Sequence, residues 1–512
     1  MPRSLGREVR VIALLVLLVL LCATGCRTAV NPATGRRDVL LMSKADEREI
    51  DAQAARQIEA EVGLVSDPRL VDYVDAVGRR VAEQSPRKDV VYSFQIAEMD
   101  EPNAFALPGG HIYVSRGLLV VANSEAELAN VLGHEIAHVA ARHSARQDAH
   151  VKTLGLASLV SDLMSGGAEP LPQNESISGH FAARYARNQE READRIGQEI
   201  AVAAGIDPVG MPRFLSTLDN LTKLQTGGSQ RQGYFTSHPA VPERVAEATT
   251  AAEARSWRRN GRLDRRSGGT QLESDRDAYL DRIEGMSVER PAAEGIFLDD
   301  RFLHADLGFS LRFPPGWRTI NQPSRVLGLA PQRGAMVSLE LQGPGDDPEE
   351  AAREYAAGDQ LVLERTRALH IGGLPAFRAH ALIHTPAGPI SAEITWVAFD
   401  GQVYRLMAGL QAGALRRHQA LFRRFAHSFR PLSDQERRMI TELRLRSVRA
   451  RAGETLAELG ARVGNEWDLT YTAVVNGLFA DQRLMPGQRI KVAIRESYRP
   501  TSAPDTDAAA EP

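Results

Sequence analysis

Beyond residue 26 the chain has no cysteine; its two, Cys22 and Cys26, lie inside and at the close of an apolar N-terminal run. That excludes a disulfide framework, thiol catalysis and a cysteine-built zinc finger downstream. Any metal site must therefore be assembled from His, Asp and Glu. Neither sign of charge is in excess, with 62 Lys plus Arg against 65 Asp plus Glu and a formal net charge of -3. Nothing in that balance points to nucleic acid or to a polyanion mimic. Long apolar runs are also lacking: apart from Val11–Leu21 no segment approaches the ~20 residues of a membrane-spanning helix. What remains is ordinary globular composition, 43% hydrophobic and 25% charged, in 512 residues, too many for one core.

The N-terminus has the three parts of an export signal: Arg3, Arg7 and Arg10, the apolar run, then Ala23, Thr24 and Gly25 before Cys26. This ending resembles a bacterial lipobox, with Ala23 where leucine is usual. The resemblance implies that Cys26 is acylated and anchors the chain to a membrane; an ordinary cleaved signal is the alternative. Arg27 is not acidic, which favours the outer membrane.

Thr28 to Arg37 reads as a tether. Ser43 predicts the cap of a first helix, and Asp67-Pro68 the turn into a second. Val90–Ile96 and His111–Val114 alternate as strands. Ser124 and Glu127 form a capping-box pair opening a helix to about Arg146. Residues 165–178 read as a Gly/Pro/Ser/Asn-rich loop. A further helix is expected from Phe181 to Ala204, stopped by Gly205 and Asp207-Pro208. The expected units are a signal at 1–26, an α-rich domain at 40–250, a charged linker at 251–295, a strand-rich domain at 296–432, a compact module at 443–494 and a disordered tail at 495–512. The fold class is α+β.

His134-Glu135-Ile136-Ala137-His138 is a His-Glu-x-x-His motif. Residues four apart on a helix lie about 40° apart around its axis, so both imidazoles project to one side and can share an ion. Glu135 then stands beside the metal without binding it. A tetrahedral catalytic zinc takes three protein ligands and leaves a fourth position open. The richest supply of a third ligand is the later helix. There Glu190 and Asp194 share a face with Ala186, Ala193, Gly197 and Ala201, whose small side chains allow close helix approach. Glu190 is the expected ligand, and Asp194 the acceptor for an N–H of a zinc-bound imidazole. Glu192 points the other way.

The chain resembles the HtpX- and BepA-type zinc metallopeptidases, relatives of the CaaX prenyl protease, across about residues 40 to 250. Four separated segments carry the likeness in order: Asn103 to Gly110, Gly133 to His138, Arg187 to Asp194, and Ser237-His238-Pro239. The resemblance implies a gluzincin fold, one Zn2+ per chain, Glu190 as third ligand, and a soluble periplasmic form. It also places His238 near the metal, either stabilising an oxyanion or binding zinc as a fourth ligand. Glu135 is the expected general base for peptide hydrolysis. Asn103 to Ser115 supplies a candidate edge strand for an extended peptide, with Asn103, Ala104, Phe105, Gly110 and His111 as substrate-binding candidates. His111 and His143 are otherwise expected in the framework or at the rim. Unfolded or envelope proteins are the implied substrates; the alternative is a chaperone-like or cell-wall-binding lipoprotein with a latent metal site.

Arg451-Ala452-Gly453-Glu454-Thr455-Leu456, Asn476-Gly477-Leu478 and Leu484 to Val492 resemble a LysM module of strand, two helices and strand. Peptidoglycan binding and a plain structural role both stay open for it. Gly308 to Trp317 loosely resembles PsbP/Mog-type α/β domains.

Overall fold

The computed structural model describes residues 27–40, 42–146, 185, 187–225, 238, 242–260, 267–331, 335–359, 361–385, 388–411 and 415–500. The signal, Cys26, the loop at 165–178 and most of the tail lie outside the described residues.

The expected tether is a hairpin, β1 (Arg27–Val30) paired antiparallel with β2 (Arg37–Leu40). Asn31 makes it: its Oδ1 accepts from the Ala33 and Thr34 amides at 2.9 and 3.2 Å, closing the turn. Next come α1 (Lys44–Glu61), opened by a Ser43/Asp46 capping box, and α2 (Pro68–Ala82), capped by Asp67 with proline in its first turn. The strands β3 (Ser93–Ala97), β4 (Ala104–Ala106) and β5 (His111–Ser115) form a sheet in the order β3-β5-β4, leaving β4 at an edge.

After α3 (Arg116–Val121), Ser124 caps α4 (Glu125–Ala140), which is buried from Glu127 through Ala140. Glu127 reaches back to the Asn123 amide at 2.9 Å. The helix does not continue to Arg146: Arg142 adopts φ 53, and α5 (His143–Arg146) is a separate turn. Across α4 lies α6 (Arg187–Ala203), followed by Gly205 at φ 82. A Cβ on Gly197 would lie 2.7 Å from the His134 amide nitrogen, and one on Gly133 would lie 2.8 Å from the Gly197 carbonyl. These two glycines allow the close approach that the small-residue face predicts.

Helices α7 (Gly210–Gln225), α8 (Pro242–Asn260) and α9 (Ser267–Ile283) follow. The last corrects the expected linker, because Tyr279, Leu280 and Ile283 are buried in the same core as Leu128, Leu132 and Ile136. Its many charges hide an apolar edge only one turn long.

The second unit has a seven-stranded sheet between Arg318 and Gln411 and a smaller four-stranded one, with every pairing antiparallel. It is therefore α+β rather than the expected α/β. Phe302, Phe309, Leu311 and Phe313 pack under the helix Leu415–His427 through Phe422 and Phe425. The hairpin turn falls at Asp400 and Gly401, with φ of 51° and 70°.

The third unit runs β6 (Thr441–Arg449), α10 (Leu456–Val463), α11 (Leu469–Val475) and β7 (Arg489–Ser497), the expected strand, two helices and strand. It is seated on the first unit: Leu445 and Val475 belong to that core, and Trp467 and Tyr471 pack against it.

Candidate metal centre

The helix α4 presents His134 and His138, and α6 presents Glu190, as their spacing predicts. His238 completes a buried group whose ligating atoms all lie within 4.8 Å of one another. His134 Nε2 is 3.0 Å from His138 Nε2 and 3.2 Å from His238 Nδ1. The Glu190 carboxylate is 2.9 Å from His238 Nδ1, 3.4 Å from His138 Nε2 and 3.6 Å from His134 Nε2. Ligands about 2.1 Å from a tetrahedral zinc stand about 3.4 Å from one another, so these spacings match a tetrahedron's edges. Imidazole lone pairs facing one another at such distances repel unless protons or a cation lie between them. The donor set fits zinc.

His134 and Glu190 are held from behind. Asp194 Oδ1 lies 2.9 Å from His134 Nδ1, as expected. Arg244, buried on α8, donates to both Asp194 oxygens at 2.8 Å and to Glu190 Oε2 at 2.8 Å. Sequence reasoning did not single it out. The signal was present in charge balance: two carboxylates on one buried face call for a cation besides the metal.

The two acids are set apart electrostatically. Burial pushes Glu135 above the usual carboxylate range, despite opposition from His238 and His134. For Glu190 burial also acts upward, but His238, His138 and His134 outweigh it and hold the group well below its ordinary value. One acid is thus suited to stay ionised as a ligand, the other to exchange a proton. Both Glu135 oxygens are buried without a hydrogen-bond partner among the described residues, and His238 Nε2 stands 3.7 Å from Oε1.

Glu192 faces away from this group, as predicted, and pairs with His143 and Arg146 at 3.0 and 2.8 Å. His143 is buried rather than at a rim, with its Nδ1 2.8 Å from His138 Nδ1. Tyr185, also missed, stacks on His138 with centroids 3.9 Å apart at 23°.

The substrate candidates divide. Asn103 and Ala104 are buried on or beside the edge strand β4, and Asn103 Oδ1 has no hydrogen-bond partner among the described residues. Phe105 stacks on Tyr113 at 5.1 Å and packs in a core cluster with Ala54 and Ile58 of α1. The Asp51 carboxylate on α1 accepts from the Gly109 amide and engages the His111 ring. Gly110, at φ 121, packs against Val90 and Val91. Gly110 and His111 therefore belong to the framework that shapes the β4–β5 turn.

Residues 68–252 match the model of peptidase family M48. The segment contains the four residues of the group, His134, His138, Glu190 and His238, together with Glu135. Among curated relatives, the beta-barrel assembly-enhancing protease of Yersinia pestis is 30% identical over 206 residues, covering 38% of this chain and 42% of that one. Its Escherichia coli K12 counterpart is 28% identical over 220 residues, covering 41% and 45%. The mitochondrial metalloendopeptidase OMA1 of Schizosaccharomyces pombe is 29% identical over 223 residues, covering 42% and 63%. The chain thus spans less than half the length of these bacterial relatives. Similar solved structures include cyanobacterial PsbP from Synechocystis, 12% identical, TM-score 0.23, covering 27% of this chain and 95% of that one. The Ran-binding protein Mog1p of Saccharomyces cerevisiae is 7% identical, TM-score 0.20, covering 25% and 93%. Among the described residues, no helix is long and apolar enough to cross a membrane.

Proposed function

We propose that this chain is a zinc-dependent metalloendopeptidase of a bacterial cell envelope, acting on unfolded or misassembled proteins. The observation that carries the reading is the buried convergence of His134, His138 and Glu190 beside a Glu135 whose two oxygens have no hydrogen-bond partner among the described residues. Zinc held by those three residues would supply Lewis acidity, polarising the scissile carbonyl and lowering the pKa of water. Glu135 takes the proton of the attacking water and delivers it to the leaving amine nitrogen as the C–N bond breaks. The edge strand β4, with Asn103 beside it, is the element on which an extended substrate would align by main-chain hydrogen bonds. Such docking reads backbone more than side chains, which suits unfolded segments. The beta-barrel assembly-enhancing name of the bacterial relatives is consistent with an envelope setting, as is the lipobox-like ending at Cys26.

In this reading His238 would be a fourth ligand that holds the enzyme latent. Its Nδ1 sits inside the ligand group, 3.2 Å from His134 Nε2 and 2.9 Å from Glu190 Oε1, where it would fill the position a water needs. Digestion of casein should stop when a chelator removes the metal. At equal zinc occupancy His238→Ala should digest it faster than wild type. A rate lower by roughly 10²–10³ would instead make His238 an oxyanion donor.

The third unit is read as a LysM-like module serving mainly as a structural brace, because Trp467 and Tyr471 are turned onto the first core rather than toward a glycan.

A further inference from the structure

We propose that His143, held by Glu192, is the positioning residue that fixes His138 as a metal ligand. The proposal rests on the metal-site reading above and adds a role for two residues outside the ligand group. His138 turns its Nε2 toward His134 and Glu190. For that nitrogen to offer a lone pair, the ring's proton must sit on Nδ1. There it meets His143 Nδ1 at 2.8 Å, with both rings buried. The neighbouring ring can accept only if its own proton is on Nε2, which lies 3.0 Å from Glu192 Oε2. Each N–H then has one acceptor, and protons run in a single direction from His138 to the carboxylate. Arg146 donates to the same Glu192 oxygen at 2.8 Å. Histidine ligands hold their tautomer and orientation through such an outer partner. His134 has a carboxylate for this purpose, and His138 has a second imidazole.

The chain folds specially to achieve this. On an unbroken helix, a residue five places beyond His138 would sit about 140° around the axis and could not meet it. The break at Arg142, φ 53, swings His143 back. Arg142 is held there by the buried Glu47, which accepts its Nε at 2.9 Å. Glu47 also accepts from Arg87 Nη2 at 2.6 Å, and Arg87 Nη1 donates to the Val139 carbonyl at 2.9 Å. A non-glycine residue with positive φ costs of order 1 kcal/mol or more and persists where its surroundings impose it. Tyr185, stacked on His138, leaves the ring free to slide in its plane but not to tilt. The hydrogen bond to His143 then sets the remaining degree of freedom.

The test is zinc affinity of the full chain, measured by competition with a chromophoric chelator, together with the visible spectrum of the cobalt-substituted protein. Removing the partner in His143→Ala should weaken zinc binding about 10–100-fold, the usual loss for an outer partner of a ligand, and shift the cobalt bands. In His143→Gln the amide oxygen can accept from His138 while the amide N–H donates to Glu192, so most of the affinity should return. Glu192→Gln lies at a partly exposed site, and leaves the fold intact if His143→Ala does not. It should weaken binding by a smaller factor. Wild-type affinity in His143→Ala and Glu192→Gln, or equal loss in the alanine and glutamine variants at position 143, would overturn the proposal. A wild-type chain that binds no zinc would overturn the metal-site reading itself.

Discussion

Two of the places that bury ionisable groups among the described residues differ in whether their hydrogen bonds close. Lys491 of the third unit is buried, and its Nζ donates to the carbonyls of Val120 and Ala122 at 2.6 and 2.9 Å, with Val121 at 3.4 Å. These are the free carbonyls at the end of α3, where a cation is favoured. Burial holds the Lys491 amine well below its ordinary pKa, and its N–H donors are met by these carbonyls. Around His134 the inventory does not close: three imidazole nitrogens and a carboxylate converge on one point, and neither Glu135 oxygen has a hydrogen-bond partner among the described residues. Burial of charge is therefore common to a brace and to a catalytic centre. What marks the second is the convergence of four potential ligands on one point beside a carboxylate with no hydrogen-bond partner among the described residues.

Substitutions at the two places should separate these roles. The largest effect is expected at the open centre. Glu135→Gln should lower peptide hydrolysis by at least 10²–10⁴-fold, on the order of a lost general base, in a digestion assay at matched protein and zinc. The side chain is isosteric and its oxygens are not in the ligand group, so unfolding should be unchanged. Next comes Asp194→Ala, which removes the acceptor for His134 and one anchor of Arg244. Zinc affinity should weaken about 10–100-fold, read by chelator competition. An unchanged affinity would mean that Arg244 and Glu190 suffice to orient His134.

At the closed place the expectation is reversed. Lys491→Met should leave zinc affinity within experimental error and lower the unfolding free energy by about 1–3 kcal/mol, the cost of leaving buried acceptors unpaired, in urea titration. A selective loss of zinc without loss of stability would make the third unit part of the site rather than its brace.

These contrasts also explain what could be read from the sequence. The histidines of α4 were legible because helical geometry alone sets residues four apart on one face. Glu190 and Asp194 were legible because the run of small side chains around Gly197 is itself the mark of a close helix contact. His143 was not, since its role depends on the break at Arg142, and no glycine or proline marks that point. Arg244 belongs to a helix 50 residues beyond Asp194, and no local pattern connects the two. Packing hid the rest. Asn31 reads as a loop residue, yet its Nδ2 donates to the Ala141 carbonyl at 3.0 Å and ties the hairpin to the end of α4. The helix α9 carries so many charges that the buried Tyr279, Leu280 and Ile283 do not stand out. The order of elements in the third unit was legible through its resemblance to a LysM module, whereas its seat on the first unit rests on long-range contacts that local spacing cannot encode.

The central claim is that His134, His138 and Glu190 hold the metal while Glu135 only works beside it. Metal analysis of purified wild type, Glu135→Gln and Glu190→Ala tests this most directly. The first two should carry about one zinc per chain, matching the four-residue group of potential ligands found among the described residues, and Glu190→Ala should carry almost none. Zinc lost from Glu135→Gln, or retained in full by Glu190→Ala, would contradict the account.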